Sequence, residues 1–195
     1  MLEYLLLLSH LLAAESCGDY YWRDFSGRIP SDAIPAGNNA NGLSYIGQAY
    51  LHLYGVGVGT IIPNTSEILV PCYGHVHAIN TFIKILCSSI PSMFHWIHTS
   101  VSTFKMNVKD QCPVLGGLDR KTWDITGTKG KLNIGRIYRK GEVIVGPVAS
   151  YDNDVWLYYP SNGIEARESH YEVLVYRGQP TVENDTVVKE VSYIT

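Results

Sequence analysis

The sequence predicts an all-β domain made of two tandem, pseudo-equivalent antiparallel β repeats packed as one unit. Three observations predict it. Short segments rich in Val, Ile and Tyr alternate with clusters of Gly, Pro, Asn and Asp, which punctuate strands and turns. Prolines, among them Pro30, Pro35, Pro63, Pro71, Pro113, Pro147 and Pro160, interrupt nearly every candidate helix. The chain also matches itself: "YIGQAYLHLYGVGVG" from Tyr45 lies over "NIGRIYRKGEVIVG" from Asn133, a shift of 88 positions (133 less 45).

Taken in order, residues 1–16 come first. The apolar run Tyr4 to Ala14, followed by Ala14-Glu15-Ser16, reads as a signal peptide cut before Cys17, although Glu3 stands where a basic residue is usual and His10 interrupts the run. This predicts a secreted protein; the alternative is a cytoplasmic protein with an amphipathic or buried N-terminal extension. The run is shorter than the roughly 20 residues that cross a bilayer, so no stable membrane span is expected. Secretion would suit the even set Cys17, Cys72, Cys87 and Cys112 as disulfide cysteines of open pairing, none of them in a CxxC. It would also suit the glycosylation sequons at Asn64 and Asn184. In a reducing compartment the four cysteines would be thiols, with Cys87 filling core.

The strands follow: "SYIGQAYLHLY", "TSEILVPCY" and "TFIKILC" in a first repeat, 20–87, then "NIGRIYR", "EVIVGPV", "DVWLYY" and "YEVLVYR" in a second, 94–176. The shift of 88 carries Leu69 to Leu157 and "FIKILC" onto "HYEVLV". Trp22 and Trp96 are only 74 apart, so the second repeat holds about 14 extra residues, expected as an insert at about 113–131. Neither half has enough apolar face to stand alone, so the halves are expected to close on each other. Residues 177–195, with "VENDTVVKEVSYIT", read as a further strand or a tail.

A formal charge of -3 and the lack of any Lys/Arg cluster argue against nucleic acid as a partner. "GVGVG", Gly55 to Gly59, imitates a phosphate loop, but "TIIPNTSE" follows it and supplies no helix N-terminus. GxSxG and HExxH are absent from the sequence, and no enzyme activity or cofactor is expected. His75 and His77 would share one strand face, as a metal pair needs, yet lack further ligand spacing, so no metal is assigned. His95 and His98 read as surface residues beside Trp96. Tyr20, Tyr21, Trp22 and Trp96 read as core.

The stretches "YYWRDFSGRIPSDAIPAGNNANGLSYIGQAY", "VGTIIP", "VPCYG", "FIKILC" and "YEVLVY" together resemble the DM9 repeat. The likeness is closest over Tyr20 to Cys87 and looser over Phe94 to Tyr176. It implies a tandem-repeat all-β protein, in some members a mannose-binding lectin, often a homodimer, engaged in recognition of microbes and innate immunity.

The resemblance also implies a sugar site: an acid in an Asp-x-Asn-Gly turn, and a lysine after the Gly of Pro-Gly-Lys. Carried over, the first repeat has Asn39 for the acid, keeps Asn41, and has Thr60 for the lysine. In the second, Asp119 is the acid and Pro147 stands for the lysine, with Arg120 or Lys121 as a substitute cation. A carboxylate accepts two hydroxyls in charge-assisted bonds where an amide offers one acceptor, so Asp119 is the stronger candidate. The expected function is non-catalytic, lectin-like recognition of glycans; the alternative is a β-strand interaction or scaffold module with a degenerate pocket.

Overall fold

The computed structural model describes residues 19–177 except 41 and 128. The β-branched and tyrosine-rich segments form strands β1 (Tyr21–Asp24), β2 (Pro35–Asn39), β3 (Gly42–Leu51), β4 (Gly55–Ile61), β5 (Ile68–Cys72), β6 (His75–Ile79) and β7 (Lys84–Cys87) in the first half. The second half holds β8 (Phe94–Ser100), a one-turn helix α1 (Phe104–Asn107), then β9 (Cys112–Pro113), β10 (Leu115–Asp119), β11 (Lys131–Arg139), β12 (Glu142–Val148), β13 (Leu157–Ser161), β14 (Ile164–Glu168) and β15 (His170–Tyr176). Every ladder is antiparallel, and the chain is all-β as the sequence predicts.

The repeat is visible in the register. Gly47 pairs with Ile85, and Gly135, 88 positions on, pairs with Val173. Trp22 pairs with Leu86 as Trp96 does with Leu174. A bulge breaks β2 against β3 between Pro35 and Gly37, and the same bulge breaks β10 against β11 between Leu115 and Gly117. That match corrects the single insert. The shift is 74 at Trp22 and Trp96, 80 at Pro35 and Leu115, and 88 at Leu43 and Lys131. Six extra residues therefore precede β10 and eight follow it. A strand bonded to β11 cannot absorb an insertion without losing register, so the loops on either side take it.

The hairpins refine the alignment by one position. Ile68 pairs with Ile79 as Leu157 pairs with Glu168, so Leu157 answers to Ile68 rather than to Leu69. Burial gives the reason: Ile68 and Leu157 are core, whereas Leu69 faces outward.

Three apolar clusters hold the fold. The middle one is shared equally, with Ile34, Ala36, Ile46, Val58 and Leu86 from the first half and Val114, Ile134, Val143, Val145 and Leu174 from the second. The other two lie one within each half. Exposing either half's share of the middle cluster to water would cost many kcal/mol at about 25 cal/mol per Å², so the halves are obligate partners. Tyr20, Trp22 and Trp96 pack against this cluster, as expected of core aromatics. Tyr21 does not: strand alternation turns it outward, where its hydroxyl bonds Asp32. His95 is half-buried rather than on the surface, and burial, then Arg177, lowers its basicity. His98 is exposed.

"GVGVG" is strand β4, and its glycines admit the neighbouring backbone. A Cβ on Gly59 would lie 2.5 Å from the Leu69 carbonyl oxygen; one on Gly55 would lie 2.1 Å from that of Leu118.

Cys72 and Cys87 carry free thiols, which corrects their reading as disulfide cysteines; Cys112 is disulfide-bonded. Both free thiols are packed in the first half's own apolar cluster, where they act as small apolar side chains. Cys17, Asn184 and the 177–195 strand or tail lie outside the described residues, apart from Arg177, as does the leader 1–16. Burial pushes each free thiol up to about 11. Iodoacetamide at about pH 8 should therefore label Cys72 and Cys87 slowly in the folded protein and at least tenfold faster after unfolding in urea, read by mass spectrometry.

Candidate functional site

The halves are stitched where β10, paired with β11 on one edge, pairs with β4 on the other, Leu118 against Val56 and Asp119 against Gly55. Beside this seam lies a cleft of about 260 Å³, whose walls include Tyr54, Tyr73, Asp119, Tyr151, Tyr158 and Glu165. Pro71, Pro147 and the half-buried Cys72 complete its apolar lining.

Asp119 is the centre of the polar wall. Tyr73 donates its hydroxyl to both carboxylate oxygens, at 2.9 and 2.8 Å, Tyr151 donates at 3.0 Å, and the Lys121 backbone N–H at 2.9 Å. Burial, and after it Asp119, holds both tyrosine hydroxyls well above their ordinary range, so both remain donors. The arrangement is a carboxylate whose acceptors are filled by rotatable hydroxyls, which incoming hydroxyls can replace one for one.

Tyr73 reaches Asp119 from a strained position. It is the first of the two turn residues between β5 and β6, with φ 50, followed by Gly74 with φ 82. The counterpart turn between β13 and β14 is Asn162-Gly163, with φ 50 and 81. Such turns favour Asn-Gly, and a bulky residue at positive φ is uncommon. Here the tyrosine is kept at a local cost of about 1–3 kcal/mol.

Lys121 comes from the eight extra residues after β10. Its ammonium stands 4.4 Å from the ring centres of both Tyr54 and Tyr73, which are themselves 5.5 Å apart. That segment is closed at its base by the Asp119 N–H to Gly130 carbonyl bond and carries the exposed Trp123 and Ile125. Glu165, also in the lining, accepts the Gly74 N–H at 2.9 Å. Burial raises its carboxyl, against the lowering effects of that bond, His75 and His77.

Of the residues singled out in sequence, Asp119 and Pro147 meet at this cleft and Thr60 does not. The Thr60 hydroxyl accepts the Val145 N–H at 2.8 Å and so links the halves. Asn39 ends β2 at the position matching Asp119, and its amide donates to Ser44 at 2.6 Å. Asn41 lies outside the described residues. Asn64 is exposed in the loop after β4. His75 and His77 have ring centres 6.5 Å apart, and among the described residues no group of three or more His, Cys, Asp or Glu could hold a metal. Among the described residues, no helix is long and apolar enough to cross a membrane. Tyr54, Tyr73, Tyr151 and Glu165 were not legible as site residues. Tyr73 alone left a trace, as Tyr-Gly where the other repeat has Asn-Gly.

No family model matches the chain, and no curated protein matches it by sequence. Among solved structures it is similar to the crystal structure of the nematode sperm cell motility protein MFP2B, with a TM-score of 0.52 and 15% identity over 83% of this chain. The match spans 46% of that protein, less than half its length. At such identity the likeness is one of fold.

Proposed function

We propose that the chain is a non-catalytic, lectin-like recognition protein whose cleft at Asp119 receives a glycan, in the manner of the DM9 repeat proteins it resembles. The observation that carries the reading is the pairing of tyrosine faces with one carboxylate ringed by exchangeable hydroxyl donors. A sugar ring presents an apolar C–H face that packs on aromatic rings, and vicinal hydroxyls that bridge a carboxylate's two oxygens. A cleft of this size is below the usual range for drug-sized ligands and suits one or two sugar units. Secretion, glycosylation at Asn64 and self-association belong to the same reading.

A glycan array followed by mannan pull-down tests it. Binding should fall at least tenfold in Asp119→Ala. Tyr73→Asn, which copies the other repeat's turn, should keep or raise the melting temperature and yet lose binding. A blank array beside a stable dimer in light scattering would instead support the interaction-module reading.

A further inference from the structure

We propose that the glycan taken by this cleft carries a free ammonium group, making the ligand an amino sugar rather than a neutral one. This rests on the preceding reading and narrows it. The first support is the seat already occupied by Lys121. Two tyrosine rings tilted by 32° hold its ammonium at 4.4 Å from each centre, a distance at which the negative ring faces attract a cation. Lys121 is exposed, and among the described residues no carboxylate lies within ion-pair distance of it. It is an exchangeable occupant on a flexible four-carbon stem.

The second support is the charge of the lining. Asp119, Asp152 and Glu165 line the cleft, and the Lys121 ammonium, outside the lining itself, reaches it through the rings of Tyr54 and Tyr73. Neither Asp152 nor Glu165 has an ion-pair partner among the described residues. Glu165 is half-buried, and burial raises its carboxyl, outweighing the lowering by the Gly74 N–H, His75 and His77. Three acids and four tyrosine rings produce a negative field that favours an ammonium more strongly than the hydroxyls of a neutral sugar. Lys121 then stands in for the ligand's own cation, and the ligand must displace it.

Calorimetry at about pH 6, where an amine of this kind is protonated, decides the matter with the full chain. The probes are the glucosamine disaccharide with both amines free, its N-acetylated counterpart and mannobiose. The free-amine sugar should bind at least tenfold more tightly than the other two. Lys121→Gln should raise its affinity roughly threefold to tenfold by removing the internal competitor, and Tyr54→Leu should abolish binding. Equal or tighter binding of the acetylated or mannose sugar would overturn this inference and leave the glycan reading standing. Weaker binding in Lys121→Gln would also overturn it, since Lys121 would then hold the sugar. No binding by any of the three sugars, nor by mannan, would overturn both.

Discussion

Arg136→Ala should destabilise the protein by about 3–5 kcal/mol, a fall in melting temperature of roughly 10 °C for a chain of this size. Arg136 Nε donates to Glu172 at 2.6 Å, and both side chains are largely buried, 14% and 13% exposed. The same guanidinium donates to the Ala36 carbonyl and lies 4.4 Å from the centre of Trp96 and 5.2 Å from that of Tyr138. Alanine removes all of this and leaves Glu172 with the exposed His98 at 3.3 Å. The first half performs the same task without charge: Gln48, the counterpart of Arg136, donates to the Gly116 carbonyl at 2.6 Å. Arg136→Gln combined with Glu172→Gln should therefore lie within about 1–2 kcal/mol of the parent, because no uncompensated charge is left inside. Urea denaturation of the parent, the single variant and the double variant measures both values. A single variant costing less than the double would contradict this account.

Gly146→Ala should be comparably damaging, at about 3 kcal/mol or more. A Cβ there would stand 1.9 Å from the Tyr158 carbonyl oxygen, which is backbone and cannot swing aside. The matched position in the first half, Gly59, meets the Leu69 carbonyl in the same way. Each hairpin thus rests its backbone on a glycine of the strand beneath. Gly141→Ala is the control. That glycine has φ 80 and nothing within 4 Å of its added Cβ, so only backbone strain of about 1 kcal/mol is expected. Thermal melts of the two variants should differ by several degrees. Equal losses would mean that the hairpin above Gly146 shifts to relieve the close approach.

The architecture was readable because strand, turn and repeat are local signals. Tyr45 and Asn133 head segments whose register agrees with their alignment, and the Gly-rich run is a strand because its glycines are spaced for packing. Asp119 could be found for the same reason: it occupies in β10 the place that Asn39 occupies in β2. The cleft itself was not readable. Tyr73 meets Asp119 across 46 positions, and Gly74 meets Glu165 across 91, so their meeting depends on how two halves lean together. An even number of cysteines likewise does not distinguish bridges from packing. Cys87, buried in a β-strand, is packing.

The seam between β4 and β10 bears on how the chain comes off the ribosome. The first half is synthesised with the edge of β4 open, and its proper neighbour is not complete until Asp119 has been added. At about 5–20 residues per second, that edge waits for several seconds. During that interval it can pair with a strand of another nascent chain, as any unprotected edge can. Closing loops of this length also slows folding into the range of milliseconds to seconds. The cleft beside Asp119, formed only when both halves have met, is therefore among the last features to appear.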